Sequence, residues 1–292
     1  PPIAIMTEKS FDMSRVAQGL TLGEGGIWYG QSSNDLHYPD DGHETTEDLE
    51  RDSFWYRHRL RCLVALVQRF PPDGPFFDVG GGTGYMAKGL QDAGLTTVLV
   101  EPGRRGAQSA AKRGVAQVVC TSVDEAGFSD KSLASIGLFD VLEHVDEDRQ
   151  FLGLLHRKLT PGGRLFITVP SYSWLWSSHD DYMGHQRRYT KKTLAAVLHS
   201  AGFQPEYLSY FFSLLPLPIW MLRALPSRLG LRRHHHDTRK NDHQVKNSVL
   251  SKLIDWSRKW EAGAMSRGRS LPLGASLVCV ARVRPTDDEL DT

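Results

Sequence analysis

Residues 75–84 read Pro75-Phe76-Phe77-Asp78-Val79-Gly80-Gly81-Gly82-Thr83-Gly84, and a helix-forming stretch beginning Tyr85-Met86-Ala87-Lys88 comes directly after. An apolar run that ends in an acid and a glycine-dense turn predicts a short strand over 76–79, a tight turn and a helix over 85–93. In an open parallel sheet the first strand-to-helix turn lies where ligands bind, with backbone N–H groups aimed at them. The spacing Asp78-x-Gly80-x-Gly82-x-Gly84 sets three glycines where side chains would block a bound molecule, with an acid just before them.

The same alternation continues outward from this turn. Strands are predicted over 97–101, 116–121, 133–140 and 164–170, with helices over 104–113 and 146–159 between them. A helix over 191–200 stops at Gly202, and strands near 206–212 and 275–283 close the pattern. Upstream, Ser53 can cap a helix in which Leu60, Leu63, Val64, Val67 and Phe70 recur at helical spacing, ended by Pro71-Pro72. This order predicts an α/β fold, a doubly wound and mainly parallel sheet with helices on both faces. Glu101, at the end of the second strand, is placed to accept hydrogen bonds from the two hydroxyls of a ribose. Gly82-x-Gly84-x-x-Ala87 also satisfies a dinucleotide pattern, but its register would start too deep in the turn and would leave Asp78 without a role.

From about Phe54 to Phe203 the chain resembles the class I S-adenosylmethionine-dependent methyltransferases, with a ubiquinone-type O-methyltransferase flavour. The motifs that carry the resemblance are DVGGGTG at 78–84, VLVEP ending in Glu101-Pro102, FDVLEHV at 139–145 and LTPGGRLFITVP at 159–170. The resemblance implies a Rossmann-like sheet of seven strands and S-adenosyl-L-methionine as cofactor. It implies that Asp78, Gly80, Gly81, Gly82 and Gly84 hold the methionine part, Glu101 the ribose, and Ser122 the adenine, with Phe139 at the cofactor-facing end of its strand. Relatives often carry an Asp at the position aligned with Ser122. The Asn- or Asp-Pro-Pro-aromatic motif of nucleic-acid N-methylases is absent, since Phe139-Asp140-Val141-Leu142 stands there. A small-molecule acceptor is expected, and no nucleic acid.

Methyl transfer is an in-line displacement, so the protein aligns the nucleophile and, where needed, supplies a base. Candidates stand after the fourth and fifth strands of the core: Asp140, Glu143 and His144, then the run from His179 to Tyr189. His185 is the first choice for general base, because an imidazole titrates near neutral pH, with His144 second and Asp140 beside it. His179, Arg187, Arg188 and Tyr189 are candidates for the acceptor side; the two arginines either bind an anionic group or pair with Asp180 and Asp181. The reading assigns no metal, while Asp140, Glu143 and His144 resemble the acid-x-x-Glu-His set of the ubiquinone-type enzymes and form the alternative. O-methylation with a histidine base is the leading expectation. A protein that binds the cofactor without methyl transfer, a regulator or scaffold, is the rival.

The 292 residues divide into a cover segment 1–52, a cofactor-binding core 53–206, an insertion or substrate lid 207–274, and a last strand with its tail 275–292. With 40% hydrophobic residues the chain can bury one large core, and a formal charge of +1 gives no polybasic coat. Three scattered cysteines without CxxC spacing predict a reduced, cytoplasmic protein with buried thiols, and the polar N-terminal residues do not read as a signal peptide. No stretch has the length of a membrane span; 210–225 is the longest apolar one, interrupted by prolines and Arg223, and it suits an apolar or membrane-surface contact. The charged run 231–246 is expected to be a mobile loop.

Overall fold

A computed structural model describes residues 11–30, 53–230 and 249–284. Its strands are β1 (Thr21–Leu22), β2 (Ile27–Tyr29), β3 (Phe76–Val79), β4 (Thr97–Val100), β5 (Gln117–Cys120), β6 (Leu133–Phe139), β7 (Leu159–Pro170), β8 (Phe203–Phe211) and β9 (Ser276–Val283). They form one sheet in the order β1-β2-β5-β4-β3-β6-β7-β9-β8. The pairs β4–β5, β3–β4, β3–β6 and β6–β7 are parallel; β9 runs antiparallel to both β7 and β8. The seven strands from β3 to β9 are those expected. The other two come from 11–30, whose hairpin adds β2 parallel to β5 instead of lying over the domain.

The helices are α1 (Phe54–Arg69), α2 (Tyr85–Asp92), α3 (Arg104–Lys112), α4 (Asp148–Lys158), α5 (Ser178–Met183), α6 (Lys191–Ser200), α7 (Pro216–Ile219), α8 (Leu225–Arg228) and α9 (Val249–Ser266). A π-helical turn, Trp220–Ala224, joins α7 to α8. Ser53 caps α1 as its sequence predicts, its hydroxyl accepting from the Trp55 amide. Parallel strands covered on both faces are apolar throughout, and their side chains alternate between faces. Phe77 joins Leu152, Leu155 and Leu194 of α4 and α6 on one face, whereas its neighbour Phe76 joins Leu63 and Leu66 of α1 on the other.

The division at 206/207 falls inside β8, whose residues 207–211 pair with β9 from Val280 to Ser276. The chain beyond β8 is built onto the core. Glu261 of α9 accepts hydrogen bonds from His58 (2.8 Å) and from the amides of Phe212 (2.8 Å) and Ser213 (2.7 Å). Burial alone would raise the Glu261 pKa; these three donors outweigh it and hold the carboxyl low. The anchor also supports Phe212 in a left-handed conformation, φ 59°, with its ring stacked on Trp55 at 3.9 Å. All three cysteines are buried thiols. Among the described residues no helix is long and apolar enough to cross a membrane. The run 231–246 lies outside the described residues.

Candidate active site

Parallel β3, β4, β6 and β7 end at one edge of the sheet, and the segments that leave them build the site. The turn after β3 is tied to the end of β4 by Glu101, whose carboxylate accepts from the Gly82 amide (2.8 Å) and the Gly103 amide (2.7 Å). Burial raises the Glu101 pKa and these two amides oppose the rise. A Cβ on Gly84, φ 77°, would sit 2.7 Å from Ala110 of α3, so that glycine allows the close approach of two helices. At Gly82, φ 56°, the same Cβ would meet nothing within 4 Å. The expectation that three glycines keep a ligand's space clear therefore narrows to Gly82; Gly80, φ 71°, faces Val141 at 2.8 Å.

Asp78 is fully buried beneath this turn, and neither carboxylate oxygen has a hydrogen bond of normal geometry. Burial, reinforced by the nearby charge of Glu101 and opposed by the Ala87 amide, pushes its pKa up to about 7. A buried acid so poorly met by donors is costly, and a ligand bringing a cation and N–H groups would satisfy it. Ser122 is half-buried after β5, and its carbonyl accepts from the Glu125 and Ala126 amides. The Phe139 ring stacks on Phe76 and belongs to the core, so only the end of its strand reaches the cradle.

After β6, Asp140 adopts φ 58° and its carboxylate is committed on both oxygens: to the Thr168 hydroxyl (2.9 Å) and to the Arg59 guanidinium from α1. It is therefore a joint between α1 and the sheet edge rather than a free acid; the ligand atoms that gather within 4.8 Å of one another here belong to Glu143, His144 and His185. Glu143 has both oxygens buried without partners; burial, with the Asp140 charge nearby, holds its pKa well above the ordinary range. His144 is kept toward its neutral form by burial and by His185, whose ring stands edge-on to it at 4.9 Å.

The loop after β7 wraps around to meet this segment. The Gln186 amide donates to the Glu143 carbonyl (2.7 Å), and Tyr189 pairs with Ser171 at the end of β7. At its centre is Asp180, fully buried in a capping box at the start of α5. One oxygen accepts from His185 Nδ1 (2.8 Å) and Arg188 Nε (2.7 Å); the other accepts from the Ser177 amide (2.9 Å) and hydroxyl (3.2 Å). Burial alone would raise the Asp180 pKa, but these donors hold it far below the usual carboxylate range. Arg187 instead pairs with Asp148 of α4 (2.8 Å) and donates to the Asp146 carbonyl (2.6 Å), while the buried Tyr189 hydroxyl donates to the same Asp148 (2.8 Å). Arg187 and Tyr189 thus fasten the loop to α4, and Arg188 serves Asp180; His179 is half-buried on α5.

A family model described as a methyltransferase domain matches residues 51–208. The chain belongs to this methyltransferase family. A "Probable S-adenosylmethionine-dependent methyltransferase" of Mycolicibacterium smegmatis is 23% identical over 168 residues, which are 56% of this chain and 65% of the relative. The chain thus spans about two-thirds of that curated relative. A Thermotoga maritima protein, described as a SAM-dependent methyltransferase and possible histamine N-methyltransferase, superposes with a TM-score of 0.51 at 18% identity, covering 82% of this chain and 96% of that one. Phosphoethanolamine N-methyltransferase 2 of Haemonchus contortus, bound to phosphomonomethylethanolamine and S-adenosylhomocysteine, gives 0.52 at 19% identity, over 86% and 59%. These likenesses establish the class I methyltransferase fold.

Several parts of the site escape a reading of the sequence. Arg59 as the partner of Asp140, and His58 with Glu261, are pairs whose members stand 81 and 203 residues apart. A trace exists: His58, Cys62 and Leu66 share one face of α1, so His58 is legible as a core-facing residue in need of a partner.

Proposed function

We propose that this protein transfers the methyl group of S-adenosylmethionine to a small-molecule acceptor, with His185 removing the acceptor's proton. The observation that carries the reading is the Asp180–His185 hydrogen bond of 2.8 Å, on the sheet edge that also bears Asp78, Gly82 and Glu101. Bound S-adenosylmethionine supplies an electrophilic methyl carbon on a sulfonium. Asp78 would suit its ammonium group, the open face over Gly82 would admit its chain, Glu101 would take the ribose hydroxyls, and Ser122 would meet the adenine.

Asp180, held ionised by its donors, fixes the proton of His185 on Nδ1 and leaves Nε2 as the basic nitrogen. The acceptor's proton would pass to Nε2 as its nucleophilic atom displaces the thioether from the methyl carbon, with Asp180 holding the other ring nitrogen. A neutral amine needs no base before it attacks, whereas a hydroxyl does, so this pair favours an oxygen acceptor. Arg188 keeps Asp180 from turning away, and Arg187 with Tyr189 holds the loop to α4.

Labelled S-adenosylmethionine and a panel of phenols, alcohols and amines test the reading. His185→Ala should lower turnover by roughly 10² to 10⁴ while leaving cofactor affinity intact. Full turnover in His185→Ala together with inactivity in His144→Ala would move the base to the segment after β6; activity in both would leave no histidine base.

A second reading rests on Glu143. Its buried, unpartnered carboxylate lies with His144 and His185 so that one ligand atom from each falls within 4.8 Å of the others. These three would hold a divalent cation, with Asp180 orienting His185, and a cation there would lower the pKa of a hydroxyl. Loss of activity in chelator and its return with a divalent metal would favour this reading; full activity in chelator would remove it.

A further inference from the structure

The helical segment from Pro216 to Arg228 turns apolar residues the wrong way. A helix packed on a protein core shows polar residues outward. Here the inward positions Pro216 and Ala224 are apolar, and so are the outward ones: Leu217 is 63% exposed, Met221 54%, Leu222 61%, and Leu229 62% just beyond. On α9, Trp256 and Trp260 stand one turn apart, 62% and 47% exposed, stacked at 6.4 Å, with the exposed Lys259 beside them. The two segments adjoin: Leu214 and Leu215 line a small cavity with Ser257 and Arg258.

We propose that this face docks on an anionic lipid bilayer. Charge selects that occupant. Residues 214–230 and 256–270 contain Arg223, Arg228, Arg258, Lys259, Arg267 and Arg269, against a single acid, Glu261. Glu261 is buried and already bound to His58 and two amides. A second copy of the chain would bring a like-charged face against this one, and a nucleic acid would have no use for an apolar stripe. An apolar stripe, tryptophans that prefer the headgroup region and flanking cations are together what shallow binding to an anionic bilayer requires.

The face also adjoins the acceptor side. The Ser178 amide donates to Ser227 Oγ (3.0 Å), and Arg228 donates to the Trp174 carbonyl (3.0 Å), so the segment lies across the start of the loop that carries His185. Trp174 and Tyr182 of that loop are exposed as well. A bilayer held there runs alongside the proposed chemical edge. Docking itself does not depend on the methyl-transfer reading, because its test reads binding and not turnover.

The test is sedimentation of the full chain with phosphatidylcholine vesicles, with and without phosphatidylglycerol. The expected result is binding that needs phosphatidylglycerol and weakens as salt is raised. The triple variant Leu217→Gln, Met221→Gln, Leu222→Gln should lose vesicle affinity by about tenfold or more, since each apolar side chain contributes on the order of one tenfold factor when buried. All three are exposed, so its thermal unfolding should match the parent, and Trp256→Phe with Trp260→Phe should diminish the blue shift of tryptophan emission on vesicle addition. Failure of the parent to sediment with phosphatidylglycerol vesicles at low salt, or equal binding by the triple variant, would overturn the proposal. So would a parent that ignores vesicles but is a dimer which the triple variant makes monomeric, the mark of a second copy on this face.

Discussion

Replacing Asp78 by Asn should make the ligand-free protein more stable, and more so as pH rises. The carboxyl is buried with no hydrogen bond of normal geometry, and burial pushes its pKa up to about 7 against 3.8 for an ordinary aspartate. The folded state thus holds the proton more tightly than the unfolded chain. Stability from this group is fully present below the unfolded value, declines as pH rises, and reaches its floor once pH passes the folded value. Between the unfolded and folded values this contribution falls by a few kcal/mol, on the order of 4 at most. Asn keeps the shape and cannot ionise. Urea unfolding of parent and variant from about pH 5 to 8 gives the difference directly. Glu143 is raised in the same sense and its slope cancels in that difference, whereas Glu101, whose charge acts on Asp78, titrates as part of the Asp78 effect. The variant should also bind S-adenosylhomocysteine at least tenfold more weakly, because the carboxylate that strains the empty cradle is the one assigned to the ligand's ammonium. A stability difference that is flat with pH would show that the Asp78 carboxyl is not the strained group.

Glu101→Ala should weaken S-adenosylhomocysteine binding by roughly tenfold or more, the loss of about 1.5 to 3 kcal/mol from a charged acceptor, and calorimetry showing unchanged affinity would remove the ribose assignment. Arg187→Ala should leave the Michaelis constant for the acceptor unchanged and cost at most about 1 kcal/mol of stability, since its partner is the partly exposed Asp148 of α4; a large rise in the Michaelis constant would return Arg187 to the acceptor site.

The core alternation was legible because it is local. Strand and helix periods, the Ser53 cap and the glycine turn each reside in fewer than about twenty consecutive residues, where side-chain spacing and backbone preference act without the rest of the chain. The hairpin of 11–30 was not, since a two-residue and a three-residue strand carry no periodic signal and exist only by pairing with β5. In the same way α9 was missed because an acid, Glu261, occupies a core position that looks polar until His58 and two amides converge on it.

For the site, order along the chain was enough to say which residues stand after β3, β4, β6 and β7, and hence that Asp78, Glu101, Glu143, His144 and His185 share one edge. It could not distribute their partners. Arg187, Arg188 and Tyr189 read alike as acceptor ligands in the loop, yet the folded chain gives two of them to Asp148 and one to Asp180. It also ties Asp140 to Arg59 while leaving Glu143 alone. Which charge is committed and which is left free depends on groups brought together from distant segments and on the burial that makes an unmet charge costly, and both exist only once the chain has folded.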